Sequence, residues 1–182
     1  MSDVDLSSIW FQTYKGNRFY PYKPEKIIID IEEIAHALSN RCRWGGHSLE
    51  FYSVAQHSVL VSRNCPQSPT WGLLHDAAEA YYPDIPRPLK ISPDIKMIVD
   101  LENRLLRTIA QHFNLCPDIP DDVRRVDAAI LTDERRFLMC KTDIDRSDWG
   151  DTFGQLDIVI QPVNQNEAKE LFLGRARELH LS

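Results

Sequence analysis

An imidazole and a carboxylate stand side by side inside an apolar stretch, Trp71-Gly-Leu-Leu-His-Asp-Ala-Ala-Glu79. The flanking residues predict a buried helix. A charge carried into such an interior must be paired or must bind a metal. Glu79 follows His75 by four residues, which on a helix puts both on one face. Adjacent helical residues diverge by about 100°, a spread that still lets His75 and Asp76 reach one ion at the helix surface. Alone, the pair reads equally well as a hydrogen-bonded core pair. A metal site needs further ligands from elsewhere, with positions left open for water and substrate.

Two other residues offer them. His57 lies in Tyr52-Ser-Val-Ala-Gln-His-Ser-Val-Leu60 and Asp127 in Val123-Arg-Arg-Val-Asp-Ala-Ala-Ile-Leu131, each among apolar or small neighbours. Asp133 competes with Asp127, but Thr132-Asp-Glu-Arg-Arg136 is a polar run of the kind that marks a solvated face. The four cysteines, Cys42, Cys65, Cys116 and Cys140, form no CxxC pair. Free thiols are expected, and any metal site must use His and carboxylate.

The rest of the chain predicts an all-α bundle behind a small N-terminal hairpin. Ile9-Trp-Phe-Gln-Thr-Tyr14 and Arg18-Phe-Tyr20 flank Lys15-Gly-Asn17, a hairpin pattern. Asp30 with Glu33 suggests a capping box ahead of the stripe Ile31, Ile34, Ala35 and Leu38. Ser53 can cap a second helix, and Ser68-Pro69 can open the one carrying His75. That helix should run to about Tyr82, where Pro83, Pro86 and Pro88 follow. Residues 94–114 form an amphipathic helix, Asp121 or Asp122 starts another, 143–163 read as irregular, and Asn164 caps a last helix to about Leu179. At 182 residues the chain reads as one domain, with the hairpin in 1–29, a metal-binding core in 30–142, and a C-terminal loop and helix in 143–182.

Charge narrows the partners. The net charge of −6 argues against coating polymeric nucleic acid but leaves room for a small phosphorylated substrate. No apolar run approaches a membrane span, and no basic-then-apolar leader precedes the hairpin, so no membrane partner and a cytoplasmic location are expected.

The ordered set His57, His75-Asp76, Asp127 resembles the H…HD…D signature of HD-domain phosphohydrolases. Arg43-Trp44 ahead of Ala-Gln-His-Ser, Glu79 and Asp84 after the pair, and Arg124-Arg-Val-Asp127 extend the resemblance over roughly Tyr20 to Met139. Within that superfamily the chain is most similar to phage dATP triphosphohydrolases and bacterial 5'-deoxynucleotidases. One departure is Gln56, where many relatives carry Glu.

The resemblance implies an HD-type helical bundle and a deoxynucleotide substrate. The favoured activity is dATP hydrolysis to deoxyadenosine and triphosphate. The alternatives are a 5'-deoxynucleotidase and, below it, a nucleotide-sensing module without turnover. Implied metal ligands are His57, His75, Asp76 and Asp127, holding zinc, manganese, cobalt or iron. Glu79 is expected to orient or deprotonate water, or to help hold a second ion such as magnesium. Asp84 would serve the leaving group or that second ion. Arg43, Arg87 and Lys90 are the expected phosphate contacts, with His47 beside them. Trp44 would be a platform for base or sugar, and Gly45-Gly46 would let backbone approach the nucleotide. The resemblance also implies a homo-oligomer, and a host's cytoplasm were the chain phage-encoded.

Overall fold

A computed structural model describes residues 5–141 and 154–181. Its fold is all-α with a small hairpin near the N-terminus. Strands β1 (Phe11–Gln12) and β2 (Arg18–Phe19) pair antiparallel, with Phe11 opposite Phe19. They are shorter than the apolar runs suggested, because Thr13 to Asn17 is given over to the turn, closed by Thr13 N–H donating to Asn17 O at 2.9 Å. The hairpin is fixed by one ring. Phe19 is fully buried, 5.2 Å from Phe11 and 4.9 Å from Tyr81 between centroids, a burial that contributes about 1.5–3 kcal/mol.

Seven helices are described: α1 (Ile31–Ser39), α2 (Val54–Asn64), α3 (Pro69–Leu74), α4 (Arg87–Lys90), α5 (Lys96–His112), α6 (Asp121–Leu138) and α7 (Gln165–Glu178). Asp30 caps α1 by accepting from the Glu32 and Glu33 amides, and Ser53 and Asn164 cap α2 and α7. The expected box at α1 is half formed. Glu33 turns inward, where its carboxylate accepts from Thr13 Oγ1, Lys15 N and Tyr81 Oη.

The helix expected to run from Pro69 to Tyr82 is broken. Its α-helical part ends at Leu74, and the chain continues as a 3₁₀ turn over Ala77–Ala80. The Glu79 amide bonds Asp76 O, three residues back, at 2.9 Å. Asp76 itself sits at φ −103°, ψ 13°, outside the helical basin.

Two apolar clusters hold the bundle. One gathers Phe19, Ile34, Leu38, Leu73, Leu105 and Phe172, and the other Tyr52, Val61, Trp71, Val123, Ile130 and Leu138. Helix α2 feeds both, through Val54 and Val59 on one side and Val61 on the other. It crosses α3 in backbone contact. A Cβ on Gly72 would lie 2.7 Å from Ser62 Cα, so only glycine fits there. That close crossing sets His57 of α2 against His75 at the end of α3. Residues 154–163 have no regular secondary structure, and the remainder of the segment expected to be irregular lies outside the described residues. Among the described residues no helix is long and apolar enough to cross a membrane.

Candidate metal centre

Each imidazole has its outer nitrogen fixed. His57 Nδ1 lies 2.7 Å from Glu134 Oε1, and His75 Nδ1 lies 2.9 Å from Gly72 O. A carboxylate and a carbonyl can only accept, so each Nδ1 carries hydrogen and each Nε2 turns a lone pair inward. The two Nε2 atoms are 3.2 Å apart. Asp127 Oδ1 stands 3.1 Å from His57 Nε2 and 3.7 Å from His75 Nε2, and Asp76 Oδ2 stands 3.7 Å and 3.3 Å from the same atoms.

Lone pairs brought this close repel unless a cation or protons sit among them. Donor atoms about 2.0–2.2 Å from one ion are about 2.8–3.6 Å from each other at octahedral or tetrahedral edges, and the separations here run from 3.1 to 3.7 Å. The His57, His75 and Asp127 group could hold a metal ion, and Asp76 adjoins it. His57 is fully buried, whereas the Asp127 side chain is 41% exposed. The cluster is therefore closed on the α2 side and open to solvent at α6.

Electrostatics agree with this picture. Burial pushes the His75 imidazole down, but Asp76 and Asp127 outweigh it and hold it well above its ordinary value. Burial raises the two carboxylates, yet the imidazoles prevail, drawing Asp76 down to about 2 and Asp127 well below the usual range. Without a metal, protons supply the missing positive charge.

Glu134 is the residue that sequence reasoning missed. The polar run around it suggested solvent, but Asp133 and Glu134 are both buried. Glu134 accepts from His57 Nδ1 and Tyr52 Oη on one oxygen, and from Arg43 Nη2 at 3.2 Å and Trp44 Nε1 at 3.1 Å on the other. It fixes the His57 tautomer and ties α6 to the segment before α2. A signal was present: Ile130, Glu134 and Leu138 fall three, seven and eleven residues after Asp127, on one face of α6. Asp133 serves elsewhere, its Oδ2 accepting from the Leu156 amide at 2.8 Å.

The other expected site residues divide. Glu79 is buried, with Oε2 unpartnered and Oε1 3.5 Å from Lys90 Nζ. Burial, with Asp76 and Asp84 adding to it, pushes its carboxyl well above the usual range. Because the helix breaks at His75, Glu79 is placed by the 3₁₀ turn and not by a shared helical face. Asp84, half-buried, is raised chiefly by burial. Arg43 and Lys90, expected on phosphate, are engaged within the protein. Arg43 bridges Glu134 and Asp76, at 3.2 Å and 3.5 Å, and Lys90 lies 2.8 Å from Glu102. Glu102 of α5 is a second residue the sequence did not single out. Arg87 and His47 are exposed. Trp44 is half-buried with φ +57°, followed by Gly45 and Gly46 at φ +58° and +79°. Of these three left-handed residues only Trp44 is strained, held by its bond to Glu134, while the two glycines take such angles freely. Gln56 holds backbone, donating to Gln161 O at 2.7 Å and accepting from the Val163 amide at 3.1 Å. Its amide has both a donor and an acceptor to serve, which a carboxylate cannot. The four cysteines are free.

No family model matches the chain. It is 43% identical over 131 residues to the uncharacterized protein YfdR of Escherichia coli, an alignment covering 71% of this chain and 72% of that protein. It is 33% identical over 142 residues to an uncharacterized protein of Rhodobacter capsulatus, covering 72% of each. On these similarities the chain belongs to the family of YfdR.

Proposed function

We propose that the chain is a metal-dependent phosphohydrolase acting on a deoxynucleotide. One observation carries the reading: His57 Nε2, His75 Nε2, Asp127 Oδ1 and Asp76 Oδ2 converge at the solvent-open end of a buried cluster, with Glu79 close behind. The HD-domain resemblance supplies the substrate class. A bound divalent ion supplies Lewis acidity to a phosphoryl oxygen and acidifies water. Zinc, manganese, iron and cobalt all suit this donor set.

The protein groups do the remainder. Glu134 keeps the His57 lone pair aimed inward. Glu79, whose carboxyl burial raises well above the usual range, takes the proton of the attacking water. Its unpartnered Oε2, with Asp84 nearby, is also where a second ion such as magnesium would sit. The Trp44 ring and the Gly45-Gly46 corner receive the nucleoside.

The resemblance favours dATP, cleaved to deoxyadenosine and triphosphate. One observation favours the monophosphate instead. Arg43 and Lys90, two of the three cations a triphosphate would use, are held by carboxylates. The test is to incubate metal-loaded protein with a panel of deoxynucleoside mono- and triphosphates and identify the product. Triphosphate from dATP supports the first activity, and orthophosphate from monophosphates supports the second. No turnover with zinc, manganese, cobalt, iron or magnesium refutes hydrolysis and leaves a nucleotide-sensing module.

A further inference from the structure

A cavity of about 630 Å³ lies between β1 and α1. None of His57, His75, Asp76 or Asp127 lines it. The volume is that of an ordinary small-molecule site. Its walls include the rings of Phe11, Tyr14, His36 and Tyr81, together with Arg41 and Cys42.

Three features make it a built site. First, its walls are fastened. Tyr14 stacks on His36 at 3.6 Å between centroids and 14° between planes. Thr13 Oγ1 and Tyr81 Oη both donate to Glu33, at 2.6 Å and 3.1 Å, joining the hairpin turn, α1 and the end of the 3₁₀ segment. A ligand would meet a preformed cleft and would not have to order it. Second, Arg41 is half-buried and its Nε is buried without a hydrogen-bond partner. Among the described residues no carboxylate lies within ion-pair distance of it. The guanidinium as a whole thus lines the cleft with no anionic partner among the described residues, and an acidic group entering the cleft can take its outward N–H groups in charge-assisted bonds. Third, the lip carries aromatic surface, with Phe11 42% and Tyr14 51% exposed. Phe11 offers an apolar ring to a planar group, and Tyr14, already stacked on His36 and 5.0 Å from Lys169 Nζ, offers the part of its ring left exposed, with a cation beside it.

We infer that this cleft binds a small organic anion with a flat ring, its acidic group on Arg41 and its ring against Phe11 and Tyr14. The Glu33 carboxylate in the wall accepts from Thr13, Lys15 N–H and Tyr81, and its remaining charge places the anion at the Arg41 end of the cleft. This second site stands independently of the proposed hydrolysis.

The Cys42 thiol, exposed on the wall, reports occupancy. The probe is naphthalene-1-sulfonate, an aryl anion with no phosphate to hydrolyse. The readout is the rate of Cys42 alkylation by iodoacetamide in the full chain, by peptide mass spectrometry. The exposed Cys116 and Cys140 serve as internal references. Saturating probe is expected to slow Cys42 about tenfold and leave both references unchanged. Uncharged naphthalene-1-methanol is expected to protect far less, since a charge-assisted bond to Arg41 adds about 1.5–3 kcal/mol, roughly tenfold to a hundredfold in affinity. Arg41→Met should abolish the difference between the two probes. Tyr14→Ala, at an exposed ring, should weaken protection by both while keeping their ratio. Unslowed Cys42 alkylation, equal protection by the neutral probe, or full protection in Tyr14→Ala would overturn the inference.

Discussion

Replacing Glu134 by Gln changes one atom and removes one charge, yet the structure makes it a severe substitution. All four partners of the carboxylate are donors: the His57 Nδ1–H, the Tyr52 hydroxyl, the Arg43 guanidinium and the Trp44 indole. The Gln carbonyl can serve the two on one side. Its NH₂ must then face the other two: against Arg43 and Trp44 it meets donors only, and against His57 and Tyr52 it fits only if the hydroxyl turns to accept and the imidazole changes tautomer, in a site with no solvent exposure. The Tyr52 hydroxyl does not ionise to relieve this, because burial, which the substitution leaves in place, is the main cause that holds it well above its usual value. Each bond to a charged acceptor contributes about 1.5–3 kcal/mol, so losing two removes about 3–6 kcal/mol. That is a large share of the roughly 5–15 kcal/mol by which a domain of this size is stable. If the NH₂ faces His57, the ring must also change tautomer and turn an N–H towards the cluster. Metal affinity should then fall about tenfold to a hundredfold. Urea denaturation of the metal-free variant measures the first effect, and competition with a chromophoric chelator the second. A Glu134→Gln protein with an unchanged urea midpoint, slope and metal affinity would refute the reasoning. It would mean that Glu134 does not hold the His57 ring.

Further outcomes follow from the same geometry. His75→Ala and Asp76→Ala are expected to abolish metal retention and turnover while keeping helical content by circular dichroism. Stoichiometric metal in either variant would contradict the ligand assignment. Gly72→Ala should cost about 1–3 kcal/mol through overpacking, and should weaken metal binding as well, since the displaced turn carries the carbonyl that orients His75. Equal urea midpoints for Gly72→Ala and the parent would show that the α2–α3 crossing is looser than described. In the chelated protein, Asp76 and Asp127 have depressed values. Their stabilisation is present above the unfolded value of about 3.9 and is lost as pH falls towards 2. His75 has a raised value, so its stabilisation is full below about pH 6.5 and is lost as pH rises through its folded value. The urea midpoint of metal-free protein should therefore be highest between about pH 4 and 6.5; a midpoint climbing steadily from pH 6 to 9 would contradict the His75 assignment.

Local sequence chemistry carried most of the secondary structure. Asp30, Ser53 and Asn164 are caps whose short side chains bond amides two or three residues ahead, so their effect can be read without knowing the fold. The α5 and α6 stripes likewise follow from helical period, and the all-α class with its N-terminal hairpin follows from them. The apolar surroundings of His57, His75 and Asp127 marked the three residues that the fold brings together.

Everything non-local needed the tertiary structure. The break after Leu74 is a change to 3₁₀ bonds, Glu79 to Asp76 and Tyr81 to Ala78 among them, and period alone does not distinguish it from one more helical turn. The run Thr132 to Arg136 looked solvated because a charged residue is cheap only in water or beside partners. The partners of Glu134 lie 77 to 91 residues away in the chain. Arg43 and Lys90 looked free for phosphate for the same reason, with Glu134 and Glu102 out of sight in the linear order. Sequence by itself determined which side chains were chemically able to form a site, since that is a property of each residue and its near neighbours. Which of them meet, and which are already engaged by others, was decided by helix crossing and burial, because pairing between charges depends on distance in space.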